Sequence, residues 1–155
     1  MGPNFVPVRA DDSKPFGAYY IYSPNEEDRM KYSRDIMIEV DKAGTYKPGE
    51  YVNVQGAKAK TYARYEIIVK NNTKVTLTPS SFEITAQDGD TDAGRLTDSK
   101  TADTPSSPIR PGRSLRWFVV FGNDAGSPAV SINPTIPDES GTYDFTLLGV
   151  GTYSD

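Results

Sequence analysis

Three aspartates stand at alternate positions in the stretch Asp88–Gly94, which reads Asp-Gly-Asp-Thr-Asp-Ala-Gly. The carboxylates of Asp88, Asp90 and Asp92 have the spacing of a calcium loop, in which such groups converge on a hard cation. A complete EF-hand loop also requires glycine at its sixth position and a bidentate glutamate at its twelfth, and this sequence has alanine and serine there. The pattern therefore favours a solvated acidic loop, with weak calcium binding as the second interpretation.

Aromatic side chains are concentrated in the segment Phe16–Tyr22, which reads Phe-Gly-Ala-Tyr-Tyr-Ile-Tyr. Exposed tyrosines stack on sugars or anchor protein partners, because a rigid amphipathic ring buries area at little entropic cost. These aromatics fall on both parities of an extended chain, so one sheet cannot bury them all. The candidate binding residues are Phe16, Tyr19, Tyr20 and Tyr22. The competing interpretation is that the rings cap the core while their hydroxyls remain in water.

Three arginines, Arg110, Arg113 and Arg116, surround a predicted Pro-Gly turn. A guanidinium group binds carboxylate or phosphate through two parallel hydrogen bonds, so Arg110 and Arg113 are candidate anion-binding residues. An arginine on an exposed strand more often pairs across the sheet. For this set the favoured interpretation is such a pair, with a residue such as Glu66.

The sequence contains neither cysteine nor histidine. This composition excludes thiolate nucleophiles, disulfides, Cys/His zinc sites and Ser-His-Asp triads. A glycoside hydrolase would need two carboxylates in one cleft, and the spacing of candidates such as Glu66, Glu83 and Asp144 brings no two of them together. The sequence therefore predicts a protein without enzymatic activity, and without a cofactor apart from the weak possibility of calcium.

The overall charge and hydropathy exclude two further classes of partner. The formal net charge is −4 at pH 7, and no basic patch is present that would attract nucleic acid. No apolar run is long enough to span a bilayer, and residues 1–8 lack the basic and apolar regions of a signal peptide. Neither a nucleic-acid partner nor a transmembrane segment is expected.

The elements that must position these residues are strands. The segment Ile109–Phe121 contains the only tryptophan, and its two alternating faces are both apolar beyond Arg116, which predicts a central strand covered on both sides. Other alternating segments, bounded by Gly, Pro and Asn turns, lie at 36–40, 51–54, 60–70, 75–78, 81–86, 130–132 and 143–147, with a long polar loop at 87–108. This spacing predicts an all-β, immunoglobulin-like, two-sheet antiparallel β-sandwich.

The N-terminal part of the chain has a different pattern. Ser23-Pro-Asn-Glu26 combines a hydroxyl at the N-cap, proline at the first helical position and glutamate at the third, which predicts one short helix ending near Tyr32. We therefore expect a flexible leader over residues 1–15, an aromatic segment and short helix over 16–34, and the sandwich over 35–155.

Several segments together resemble a known family. Tyr-Glu-Ile-Ile-Val-Lys-Asn-Asn-Thr at Tyr65–Thr73, Phe-Glu-Ile from Phe82 with Asp88-Gly after it, and Arg-Pro-Gly-Arg-Ser from Arg110 ahead of Val-Val-Phe121 are similar to the telokin-like, immunoglobulin-like domain of unknown function in secreted proteins and lipoproteins of Gram-positive bacteria. The resemblance covers roughly residues 36–150. It implies a non-enzymatic, extracytoplasmic β-sandwich and brings no agreed ligand with it.

The sequence thus predicts a protein-interaction module that is extracellular or anchored in the cell envelope and acts as a monomer or weak homodimer. Its partner is an unidentified protein or a cell-wall glycan, and recognition is expected in the 88–108 loop and the N-terminal aromatic segment. The alternatives are a carbohydrate-binding module that uses the tyrosine cluster and a structural spacer domain.

Overall fold

The computed structural model describes residues 6–8, 13–21, 36–47, 52–73, 75–98, 103–126, 128–137, 144–146 and 152–154. These residues form thirteen strands and one short 3-10 turn. The strands are β1 (Val6–Val8), β2 (Ser13–Pro15), β3 (Gly17–Ile21), β4 (Ile36–Tyr46), β5 (Val52–Gln55), β6 (Tyr62–Asn71), β7 (Phe82–Asp88), β8 (Thr91–Asp92), β9 (Arg95–Asp98), β10 (Ser114–Gly122), β11 (Pro128–Pro137), β12 (Asp144–Thr146) and β13 (Thr152–Ser154), and the turn spans Pro79–Ser81.

The strands form two sheets, which confirms the predicted β-sandwich. Sheet I has the order β1-β3-β4-β6-β10-β9-β5, and sheet II has the order β2-β13-β11-β7-β8 with β12 paired to β11. Antiparallel pairing dominates, and the two parallel pairs among the described strands are β1 with β3 and β13 with β2. The predicted helix near residues 23–32 lies outside the described residues.

Strands β4, β6 and β10 form the centre of sheet I because their sequences alternate in the same register. Trp117 pairs with Ile67, and Ile67 pairs with Val40 on the other side, so three apolar side chains lie in one row. The buried row continues with Ile36, Ile38, Ala63, Tyr65, Val69, Val119 and Phe121. Sheet II covers it with Phe82, Ile84, Ala86, Val130, Ile132 and Tyr153. Each large side chain removed from water contributes roughly 1.5–3 kcal/mol.

The other face of β10 is also covered at one end, as the sequence predicted for the tryptophan strand. Val120 is buried there in a second apolar cluster with Tyr62 and Leu96. The loop over residues 56–61 crosses this face so closely that a Cβ on Gly94 would collide with the carbonyl of Ala57. Glycine at position 94 therefore permits the loop to seal the second cluster.

Two predictions about loops were incomplete. The stretch 87–108, expected to be one long polar loop, contains strands β8 and β9. The strand β9 was missed because only Leu96 is apolar in its four residues, and this is too short a pattern to show alternation. In addition, β1 and β2 lie within the segment expected to be a leader, and the 3-10 turn that begins at Pro79 lies between the predicted segments 75–78 and 81–86.

Candidate functional site

A cleft of about 610 Å³ opens along one side of the sandwich, where the β7–β8 edge of sheet II approaches the β9–β5 edge of sheet I. We call this the edge cleft. Its walls combine residues 84–87 of β7 with polar side chains from five other strands: Gln55, Asp92, Arg95, Ser131 and Thr152. Concave sites with a few convergent polar groups are the usual form of ligand-binding sites.

The backbone of β7 is itself exposed along this cleft. The carbonyl of Ala86 accepts a hydrogen bond from the Ala93 N–H, so the backbone groups of Ala86 point away from β11. Because backbone groups alternate along an antiparallel strand, those of Ile84 point to the same side. Strand β8 pairs only with Gln87 and Asp88. Among the described strands, none extends this pairing along β7 as far as Ile84. None of the described residues forms a backbone hydrogen bond with the N–H or C=O of Ile84, which therefore face the cleft at an open edge.

Arg95 supplies the positive charge of the edge cleft. Its side chain is half-buried, and one guanidinium nitrogen donates a hydrogen bond to the Thr104 hydroxyl at 3.2 Å. The buried Nε has no hydrogen-bond partner, and among the residues that the structure describes Arg95 forms no ion pair. Burial lowers the pKa of Arg95, and the negative charge of Asp103 opposes that shift. The cleft thus holds a partly desolvated cation without a contacting anion.

The predicted calcium loop has a structural role at its first aspartate. The two carboxylate oxygens of Asp88 accept hydrogen bonds from the Asp124 and Ala125 N–H groups, both at 2.8 Å. Asp90 and Asp92 are exposed in and after the β7–β8 turn, and Asp92 lines the edge cleft. Asp88 therefore ties β7 to the loop that follows β10.

Asp124 continues the same network to a third segment. Its carboxylate accepts hydrogen bonds from the Lys60 N–H at 2.9 Å and from the Thr61 N–H at 2.8 Å. The hydrogen bonds from these backbone donors lower the pKa of Asp124, and the bond from the Thr61 N–H has the largest effect. A small pocket of about 250 Å³ lies beside this network. The acidic residues at this end of the sandwich thus hold loops together.

A different acidic cluster was missed by the sequence analysis. Glu39, Asp41 and Glu66 lie half-buried on the outer face of sheet I, with one carboxylate oxygen from each within 4.8 Å of the others. The hydrogen bond with Asp41, partial burial, and the charges of Asp41 and Glu66 raise the pKa of Glu39 to about 7, whereas Arg116 lowers it. Three such oxygens suit a hard cation. Only the register, which pairs Asp41 with Glu66, reveals the cluster.

The arginines near the Pro-Gly turn separate into two kinds. The Arg116 Nε lies 3.5 Å from a Glu66 carboxylate oxygen, which confirms the predicted cross-strand pair. The side chains of Arg110 and Arg113 are exposed, while their backbone closes the turn through the Arg113 N–H bond to the Arg110 carbonyl at 3.0 Å. These two are at the opposite end of β10 from the edge cleft.

Two of the candidate aromatic residues pack against the core. The Phe16 ring lies 5.6 Å from that of Tyr65, and the Tyr19 ring lies 5.3 Å from that of Tyr153. The Tyr19 hydroxyl also donates a hydrogen bond to the Pro15 carbonyl at 2.7 Å. Tyr20 is on β3, and Tyr22 lies outside the described residues. The structure thus joins Phe16 and Tyr19 to the rim of the core.

The comparisons with known proteins concern the fold. Neither a protein-family model nor a curated protein matches the chain. Among solved structures, the chain is similar to a "putative lipoprotein (ycdA)" from Bacillus subtilis, with 20% identity and a TM-score of 0.50. The match covers 74% of this chain and 36% of that one, so this chain spans little more than a third of its neighbour. The two proteins share a fold at this similarity, and the telokin-like, immunoglobulin-like family stays a prediction.

One observation concerns whether a helix of the chain could cross a membrane. Within the described ranges, no helix has the length and apolar character needed to cross a bilayer.

Proposed function

We propose that this protein is an extracytoplasmic, envelope-associated binding domain without catalytic activity, and that the edge cleft is its recognition site. The observation that carries the proposal is the cleft itself, in which the open edge of β7 and the half-buried cation of Arg95 meet. Rigid sheets bound it on two sides, so a partner would meet groups that are already in position. No bound cofactor is needed for such recognition.

The location in the envelope has independent but weaker support. The Bacillus subtilis protein of similar fold is described as a "putative lipoprotein", and the sequence resembles a family of secreted proteins and lipoproteins. Both point to the outer side of the membrane.

Protein binding is favoured over sugar binding because of where the aromatic side chains pack. Carbohydrate-binding modules stack sugars on exposed rings, whereas Phe16 and Tyr19 contact the core. In the second cluster, Tyr62 is buried and Tyr46 packs against it. A peptide partner instead matches the open strand edge.

Site-specific photo-crosslinking in cells tests this proposal. A photoreactive residue is placed at Gln55, on the wall of the cleft, and in a control variant at Asn72. Asn72 is exposed just after β6, at the end of this strand that lies away from the cleft. We expect a discrete adduct in the envelope fraction from the Gln55 position and none from the Asn72 position. Equal labelling from both positions, or no adduct from Gln55, would contradict the proposal. An adduct whose added mass is lost on glycosidase treatment contains a glycan, whereas an adduct that keeps its mass indicates a protein partner.

A further inference from the structure

We infer that the edge cleft binds an extended peptide, which adds a strand to the open edge of β7 and places one carboxylate on Arg95. This inference rests on the proposed function and specifies the ligand of the same site. It combines two independent features of the cleft, the backbone of one wall and the charge of another.

The backbone feature selects an extended chain. Beyond the short pairing with β8, the N–H and C=O of Ile84 point into the cleft, and among the described strands none pairs with them. Such groups are satisfied by water in the free protein, and a peptide in strand conformation satisfies them with a matching ladder. A compact small molecule lacks donors and acceptors at the strand repeat of about 3.3 Å.

The neighbouring side chains allow this docking. Glu83, which precedes Ile84, is exposed outside the cleft lining, and the exposed residues of β7 that line the cleft are Thr85 and Gln87. Neutral hydrogen-bonding groups of this kind accept many peptide side chains. Gln55 provides a similar neutral group at the end of β5. Most of the cleft therefore does not select a particular sequence.

The charge feature selects an acid. Arg95 has lost part of its hydration, its Nε has no partner, and one of its other nitrogens bonds the neutral Thr104 hydroxyl. A carboxylate would form a charge-assisted pair with this guanidinium and offset the desolvation. Two other charges bear on the site: Asp92 lines the cleft, and Asp103 acts on Arg95 through its field. Because both are negative, a single carboxylate close to Arg95 is favoured over a polyacidic ligand.

Matched peptide pools test the inference with the purified full chain. The probes are capped, fluorescent peptides of about six residues, rich in Val and Thr, with one fixed Glu, and the matched pool has Gln at the same position. We expect the Glu pool to bind at least about ten-fold tighter by fluorescence anisotropy, the range of a charge-assisted hydrogen bond. Methylation of alternate peptide nitrogens should weaken binding, because it removes the strand ladder.

Two protein variants assign the charge preference to one residue. Arg95→Gln should abolish the difference between the Glu and Gln pools, whereas Arg110→Gln, an exposed arginine outside the cleft, should preserve it. Thermal unfolding of both variants establishes that they are folded. If Arg95→Gln does not fold, the comparison of the Glu, Gln and N-methylated pools on the wild type still decides the inference.

The outcomes separate this inference from the proposed function. Equal affinity for the Glu and Gln pools, an effect of Arg110→Gln equal to that of Arg95→Gln, or no peptide binding overturns the inference. A cleft-specific crosslink found together with any of these results leaves the binding domain in place with a different ligand. Absence of the crosslink contradicts the proposed function itself.

Discussion

The two ends of strand β6 are held in different ways. At its C-terminal end, Asn71 belongs to a buried amide network. Just before its N-terminal end, the exposed carboxylate of Asp124 binds the backbone of Lys60 and Thr61. Both arrangements join loops from different strands through bonds between a side chain and the backbone. They differ in burial, in charge and in what lies beside them. The edge cleft is at the Asp124 end, next to Asp88 and the end of β10.

The Asn71 end is sealed and neutral. The Asn71 Nδ2 donates to the carbonyls of Val75 at 2.7 Å and Ile109 at 2.8 Å. Its Oδ1 accepts from the N–H of Thr73 at 2.9 Å and also from the Thr73 hydroxyl. Every hydrogen-bonding group of this fully buried amide is therefore used. A fully satisfied buried network makes one arrangement of loops much more stable than others.

The Asp124 end is hydrated and charged. Asp88 and Asp124 use carboxylates to bind backbone N–H groups of exposed loops, so water competes with each bond. Loops held in this way open at lower cost than a buried core. The difference shows that one end of the sandwich is held by a buried neutral network, whereas the candidate binding site lies beside the end whose loops are held by exposed charged groups.

The largest expected effect comes from breaking the sealed end. Asn71→Ala removes the partner of the buried Thr73 N–H and one of the two donors to each of the Val75 and Ile109 carbonyls. We therefore expect the free energy of unfolding to fall by about 2 kcal/mol. Urea denaturation of Asn71→Ala beside Asn72→Ala, an exposed neighbour, measures this. A loss no larger than that of the neighbour would mean that the network does not hold this end.

A smaller effect, with a dependence on pH, is expected from Asp124→Asn. Because the folded-state pKa of Asp124 is lowered, its ionised form stabilises the protein above the unfolded pKa, and this contribution is lost as pH falls through the folded value. The wild type should exceed Asp124→Asn in thermal midpoint near neutral pH, and the two should converge in acid.

The exposed Asp90→Asn serves as the control for that series. If its profile matches that of Asp124→Asn, the effect is general charge rather than the backbone bonds to Lys60 and Thr61. The difference between wild type and Asn71→Ala should stay constant over the same pH range, because no charge takes part in that network.

The smallest effect is expected between the two ends, at Glu39 on the outer face of sheet I. Its pKa is raised from 4.5 to about 7, so the folded protein retains a proton that the unfolded chain releases. The stabilisation that protonated Glu39 contributes is therefore fully present below about pH 4.5 and is lost as the pH rises to about 7. Partial exposure screens the interaction and keeps the effect small.

Glu39→Gln should therefore flatten the decline in thermal midpoint between about pH 5 and pH 8. Glu83→Gln, on the exposed side of sheet II, is the matched control. A wild-type midpoint that rises over this interval relative to Glu39→Gln would contradict the crowding of Glu39, Asp41 and Glu66. Such a result would leave backbone donors as the dominant influence on acidic residues at both sites.

Local patterns were sufficient to predict the centre of the molecule. The alternation around Trp117 predicted a central strand with two covered faces, and the structure has β10 inside sheet I with Trp117 on one side and Val120 buried on the other. The expected pair between Arg116 and Glu66 is also present. These predictions succeeded because the side-chain period of a strand is a local property of the chain.

The candidate site could not be predicted in the same way. Arg95 appeared as one charge in a polar stretch, and its importance arises from the approach of sheet II and from the burial that this approach causes. The sequence favoured a solvated acidic loop at Asp88, with weak calcium binding as the second interpretation, and it did not reveal that the Asp88 oxygens accept hydrogen bonds from the backbone of Asp124 and Ala125. In both cases, the residues that surround the side chain are distant in the sequence or belong to the other sheet.

Composition and alternation are enough to establish the strand-rich class, the central β10 and the absence of thiol and imidazole chemistry, because they need no long-range information. Which edges remain open, which carboxylates share a face and where Arg95 lies become visible only in the folded protein. Those properties depend on strand order and register, and these are set by the packing of the whole core rather than by any one segment.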